Sequence, residues 1–148
     1  MQTFLPSDDF ALCAMSLDRQ RLGKQRVETL QIMQTLAGKS RGKGWINHPA
    51  TKMWKGHENY LMLYQIATVS EWTMRGYKDT CLGKTYEAFS SLEEDFSYPE
   101  WMGNEELHAS HRSNLLRKKP DHYSKFNWQE SDNMEYVWPV TKINKELW

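Results

Sequence analysis

Residues 16–38 read SLDRQRLGKQRVETLQIMQTLAG, and the placing of their apolar side chains decides the fold. Leu22, Val27, Leu30, Met33 and Leu36, joined by Ala37, recur at spacings of three, four and five. That is the period of one face of a helix. The Ser16 hydroxyl is suited to capping the first turn and Gly38 to stopping the last, so the pattern predicts a long helix between them. The Gly- and Lys-rich stretch KSRGKGW (39–45) then reads as a loop.

The same reading extends outward. After Pro49, Leu61, Tyr64, Ala67, Glu71 and Met74 fall on one face of a second long helix, roughly 50–75, which Gly76 would end. Tyr86, Phe89 and Leu92 suggest a shorter third. Asn104 can cap a fourth that runs through Leu107, His111 and Leu115 to about Lys119, and Pro120 suits the first turn of a short fifth. No segment alternates apolar and polar residues as a half-buried strand would. The expected fold is all-α, a compact bundle of about four to five helices forming one domain over 1–148.

A chain of 148 residues can bury roughly 70% of its unfolded surface, enough for one core. No run of about 18 apolar residues is present, so no membrane span is expected. MQTFLPSDDF lacks the basic-then-apolar order of a signal peptide. Reduced Cys13 and Cys81 and a cytoplasmic location are therefore expected. Seven Trp, seven Tyr and five Phe must supply mostly core.

The formal net charge is zero, but the charges are segregated. Residues 16–44 carry Arg19, Arg21, Lys24, Arg26, Lys39, Arg41 and Lys43 against Asp18 and Glu28. Residues 111–125 carry Arg112, Arg117, Lys118, Lys119 and Lys125 against Asp121, while 87–106 hold seven acids and no base. Phosphate binding depends on local clusters of this kind rather than on the total.

Two segments can carry chemistry. On a helix, Arg21, Lys24, Glu28 and Gln31 lie three or four apart and share a face. That is a carboxylate held among cations, or else a solvated face laced with ion pairs. In HASHRSNLLRKKPDHY (108–123), His108 and His111 have a spacing that can meet one metal, with His122 or His48 completing it. No HExxH or CxxC pattern supports that, and no metal or cofactor is expected. A phosphate-contacting face of His111, Arg112 and Arg117 is the better reading. No Gly-rich phosphate loop, GxSxG elbow or Walker-type lysine is present.

The order of MQTFL, KQRVETLQ, NHPATKMW (Asn47 to Trp54), EWTMRGY (Glu71 to Tyr77) and HASHRSNLL, from Met1 to about Trp128, resembles the pyrimidine-dimer DNA glycosylase family. This is the small endonuclease of the bacteriophage type, with its bacterial relatives. The resemblance implies an N-terminal segment packed into the active-site cleft. It also implies a nucleophilic α-amine at Met1, an acid/base glutamate at Glu28, and damaged duplex DNA as substrate, bound by a monomer with no obligate protein partner. An α-amine has a pKa near 7.7–8.0 against about 10.4 for lysine, so roughly a tenth of such amines are neutral at pH 7. The bulk of Gln2 should keep Met1 in place.

By the same resemblance, Arg19, Arg21, Lys24 and Arg26 would neutralise phosphates around Glu28. Asn47 and His48 would face the cleft, and Arg112, Arg117 and Lys118 would touch the backbone further out. Tyr123, Phe126 and Trp128 fall where the family has an aromatic, lesion-facing segment. The best-known members carry arginine directly after the nucleophilic residue and directly before the glutamate, where this chain has Gln2 and Val27. Two other readings remain open from the sequence: an enzyme of this fold acting on another modified base, and a non-catalytic helical module that binds nucleic acid.

Overall fold

In the computed structural model, Asp9 starts the first helix by accepting the Leu12 N–H on its carboxylate at 3.1 Å. The structure describes residues 1–39 and 45–139; Arg41, Lys43 and most of the expected KSRGKGW loop lie outside them. Helix α1 (Phe10–Ser16) was not foreseen, because its exposed Leu12 and Met15 blur the apolar period. Ser16 ends this helix instead of beginning the next, and its hydroxyl donates back to the Cys13 carbonyl at 2.9 Å. Helix α2 therefore starts two residues later than expected, at Arg19–Leu36, with Asp18 at its N-cap.

The expected helix over 50–75 is two helices. One turn, α3 (Pro49–Lys52), is followed by a break in which Gly56 adopts φ +86°, a value open to glycine at little cost. Helix α4 (Glu58–Met74) follows, and Gly76, at φ +96°, ends it. Helix α5 (Leu82–Ser90) is the short third helix of the sequence reading. Asn104 caps α6 (Glu105–Lys118) by accepting the Leu107 N–H at 3.1 Å, and Pro120 opens α7 (Pro120–Tyr123), which runs into a 3₁₀ turn over Ser124–Phe126. The described residues thus form seven α-helices and no strand, four of them longer than two turns.

Helix α4 packs against α1, α2 and α5, and α2 packs against α5 and α3. Helix α6 meets chiefly α7, and the N-terminal segment joins it to the rest. Phe4 and Leu5 enter two different apolar cores. Leu5 joins Ile32, Met33, Trp54, Tyr64 and Leu107, whereas Phe4 joins Leu17, Leu22, Leu115 and Tyr123. Trp54, fully buried, meets Trp101 edge-on at 4.9 Å between ring centroids. Two consecutive side chains thus seal two cores, and burying both contributes roughly 3–6 kcal/mol by apolar area.

Candidate active site

A segment this deeply buried must find partners for its backbone polar groups, since each one left unpaired costs about as much as a lost hydrogen bond. Gln2 to Pro6 are all buried, and side chains supply the partners. On α2, Glu28 Oε2 accepts the Gln2 N–H at 3.0 Å, Gln25 Nε2 donates to the Gln2 carbonyl at 2.9 Å, and Gln25 Oε1 accepts the Phe4 N–H at 3.0 Å. From α4, the Tyr64 hydroxyl donates to the Phe4 carbonyl at 2.7 Å. From α6, His111 Nδ1 accepts the Leu5 N–H at 2.8 Å, His108 Nδ1 meets the Leu5 carbonyl at 2.8 Å, and Arg112 donates to the Pro6 carbonyl at 2.8 Å. Trp54 Nε1 holds the Thr3 hydroxyl at 3.0 Å.

These bonds fix the histidine tautomers. His108 Nε2 accepts the Gly103 N–H at 3.1 Å, so the ring proton is on Nδ1 and points at Leu5. His111 accepts on Nδ1 and is therefore protonated on Nε2. Burial, with His108 beside it, pushes the His111 imidazolium down to about 3, and burial also lowers His108. The pair is structural, and no group of three or more His, Cys, Asp or Glu able to hold a metal occurs among the described residues.

The segment emerges in a hollow of about 350 Å³ lined by Met1, Gln2, Phe4, Gln20, Arg21, Lys24, Gln25, Glu28, Lys118 and Tyr136. That volume is within the range of roughly 300–1,000 Å³ usual for small-molecule sites. Three cations, Arg21, Lys24 and Lys118, surround one carboxylate, Glu28. Lys24 Nζ lies 3.7 Å from Glu28 Oε1, but Lys24 is 75% exposed, so the pair adds little to stability. Burial, and after it the nearby Arg21, Arg117 and Lys24, hold the Lys118 ammonium below its ordinary value, with Glu28 opposing. His48 caps α3 by accepting the Ala50 N–H on Nδ1 at 3.0 Å. Burial lowers its pKa, the Met1 amine lowers it further, and Glu28 opposes both. Thr51 Oγ1 touches the Met1 sulfur at 3.9 Å.

Arg21 owes its position to Asp18, which is 2% exposed. Burial raises the Asp18 carboxyl, but hydrogen bonds from Tyr123 and Arg21 outweigh it and hold it below the usual range. Tyr136 arrives by another route. Further along α6, Asn114 donates to the Met134 carbonyl at 3.0 Å, and the Tyr136 ring meets His111 edge-on at 5.5 Å between centroids. Ser113 accepts the Met134 N–H at 3.0 Å, and Ser110 accepts the Val137 N–H at 3.1 Å. The buried polar residues of HASHRSNLL thus hold two chain segments, the N-terminal one and the one around Tyr136. Burial pushes the Tyr136 phenol up to about 12.

Of the residues singled out from the sequence, Met1, Gln2, Arg21, Lys24, Glu28 and Lys118 line the hollow. Arg19 and Asn47 are exposed away from its lining, and Arg117, also exposed, is bonded to Asn114 and to the Asp132 carbonyl at 3.1 Å. Three expectations need correction. His111 has no exposed surface and cannot contact phosphate; it points inward because Leu5 needs its acceptor. Arg26 turns away to Asp79, at 2.6 Å, and lies over the Trp72 ring. Arg112 is held by Glu130, Glu105 and the Pro6 carbonyl, so its charge is already spent. Tyr123 is buried against Asp18, and Phe126 and Trp128 stack on each other at 5.2 Å.

Sequence reasoning missed Gln20, Gln25, Phe4 and Tyr136. Gln25 was within reach of the same arithmetic, being four residues from Arg21 and three from Glu28. Tyr136 was not, because no periodicity marks its segment.

Residues 1–85, more than half of the chain, match the family model of pyrimidine dimer DNA glycosylase, and the chain belongs to that family, a class of DNA-repair enzymes. No curated protein and no solved structure matches it. No described helix is long and apolar enough to cross a membrane.

Proposed function

We propose that the protein excises damaged pyrimidines from duplex DNA and then cleaves the strand at the abasic site, with the Met1 α-amine as nucleophile and Glu28 as acid/base. The observation that carries this reading is the hydrogen bond from the Gln2 N–H to Glu28 Oε2 at 3.0 Å. With Met1 as the terminal residue of the mature chain, it keeps the amine within one residue of the carboxylate.

The neutral amine attacks C1′ of the damaged nucleotide. The glycosidic bond breaks, and the departing base takes up a proton. The nitrogen then passes a proton to the Glu28 carboxylate and forms a double bond to C1′ as the C1′–O4′ bond opens, and Glu28 hands that proton to O4′. The resulting iminium acidifies C2′, Glu28 removes that proton, and the C3′–O bond breaks with loss of the 3′ phosphate. Water finally hydrolyses the imine and frees the amine. Arg21, Lys24 and Lys118 neutralise the flanking phosphates, and a flipped nucleotide enters the hollow. No step calls for a metal, a cofactor or a second protein, and we assign the activity to a cytoplasmic monomer.

Borohydride should trap a covalent adduct between the protein and an abasic-site duplex, and peptide mass should locate it on Met1. Acetylating the α-amine should abolish trapping, while Glu28→Gln, which keeps an acceptor for Gln2, should slow turnover by about a hundredfold or more. Melting curves show whether each form is still folded. Trapping that survives acetylation overturns the assignment.

A further inference from the structure

We infer that Gln25 is a positioning residue for the N-terminal amine: its carboxamide and the Glu28 carboxylate, one helical turn apart, grip Gln2 by its C=O and N–H and so aim Met1 into the hollow. This rests on the reading of Met1 as nucleophile.

Gln25 is 2% exposed, so its polar atoms have no recourse to bulk water. Its Oε1 accepts the Phe4 N–H at 3.0 Å and its Nε2 donates to the Gln2 carbonyl at 2.9 Å, with Thr29 Oγ1 a second acceptor at 3.3 Å. Both main partners are backbone groups: one can only donate and the other only accept, so the orientation of the amide is unambiguous. The pairing mimics the donor–acceptor pair a neighbouring strand would offer, in a fold that supplies none among the described residues. Glu28, three residues on, holds the Gln2 N–H at 3.0 Å. With both backbone groups of Gln2 fixed to α2, only the torsions of Met1 itself remain to direct the amine.

The residue type is also informative. A hydrocarbon side chain would leave the Phe4 N–H and the Gln2 carbonyl buried and unpaired. An ionised carboxylate has no donor for the Gln2 carbonyl and would place a second negative charge beside Glu28. Glutamine satisfies both partners without charge. The ionisable groups around it are the Met1 amine, Arg21, Lys24 and Glu28 on one side, Lys118 and Tyr136 on another, and Tyr64, whose hydroxyl donates to the Phe4 carbonyl.

Gln25→Glu is therefore the diagnostic change. A protonated glutamic acid has one donor and one acceptor and reproduces the pattern; the ionised form does not. Two rates are measured against pH, each as a ratio to wild type. One is borohydride trapping on an abasic-site duplex. The other is methylation of the α-amine by formaldehyde and cyanoborohydride, which needs no DNA. Between about pH 7.5 and about pH 5 the trapping ratio should rise by about tenfold or more, and the methylation ratio should return towards one. Duplex affinity of the uncharged Gln25→Met variant should stay within about twofold of wild type, since Gln25 makes no phosphate contact in this scheme. Gln25→Met, similar in volume and without hydrogen bonds, should be impaired at every pH and serves where Gln25→Glu is poorly folded at neutral pH.

Flat ratios in a folded Gln25→Glu protein, or unchanged rates in folded Gln25→Met, overturn the inference. If wild type traps no DNA while methylation still follows the pattern, the proposed chemistry fails and the positioning role stands.

Discussion

His111 Nδ1 accepts the Leu5 N–H at 2.8 Å, joining residues 106 positions apart in the chain. This bond requires a neutral imidazole, because a protonated ring has no lone pair to offer. The His111 pKa is depressed to about 3 from an ordinary 6.5, so between those values the unfolded chain takes up a proton that the folded one refuses. Stability from this group is complete above about pH 6.5 and is lost as pH falls towards about 3. The slope should be about 1.4 kcal/mol per pH unit for one such group, and His108, also lowered, adds in the same direction. Urea unfolding from pH 7 to pH 4 measures it. His111→Asn, which keeps an acceptor but does not titrate, should unfold more easily at pH 7 and show a shallower acid slope; an unchanged slope would refute the account.

Gly23 stands inside α2, where helix propensity alone favours alanine by about 1 kcal/mol. A Cβ there would sit 2.8 Å from the Trp72 ring. Trp72 cannot easily retreat: its Nε1 donates to the Lys78 carbonyl at 3.0 Å, Tyr77 stacks on it at 4.3 Å, and Arg26 lies over it at 4.5 Å. Overpacking costs typically 1–3 kcal/mol, so the clash outweighs the propensity. Gly23→Ala should be destabilised by about 1 kcal/mol, read from the urea midpoint at unchanged slope. A stabilised variant would show that the tryptophan is free to move.

The cations differ in what they have left to give. Lys118 and Lys24 stand at the hollow, whereas Arg26 is bonded to Asp79 and Arg112 to Glu130. Lys118→Gln should weaken binding to a damaged duplex and lower the slope of log K against log salt by about 0.9. Arg112→Gln should leave that slope unchanged while lowering the melting temperature. Equal slopes for wild type and Lys118→Gln would remove Lys118 from the interface.

The legible parts of this protein are those governed by local rules. Asn104, Gly76 and Pro120 announce their helix ends because capping and backbone preference need only a few neighbours. The shared face of Arg21, Lys24 and Glu28 follows from helical geometry alone. What misled is partly a choice between local alternatives and partly non-local. Ser16 had the chemistry of a cap but spends its hydroxyl on Cys13, and the helix break at Gly56 looks in sequence like one tolerated glycine. His111 and Arg112 looked like surface cations because their partners, Leu5, Pro6 and Glu130, are distant in the chain. Tyr136 reaches the hollow through three hydrogen bonds from α6, which no pattern in its own segment foretells.

The burial of the N-terminal segment sets an order of events during synthesis. Leu5 and Pro6 leave the ribosome more than a hundred residues before their partners on α6. Contacts so distant in sequence close late, after local helices have formed. The nascent chain must carry this segment unsatisfied until α6 has been made, and a fragment ending before α6 would leave Leu5 and Pro6 without their α6 partners.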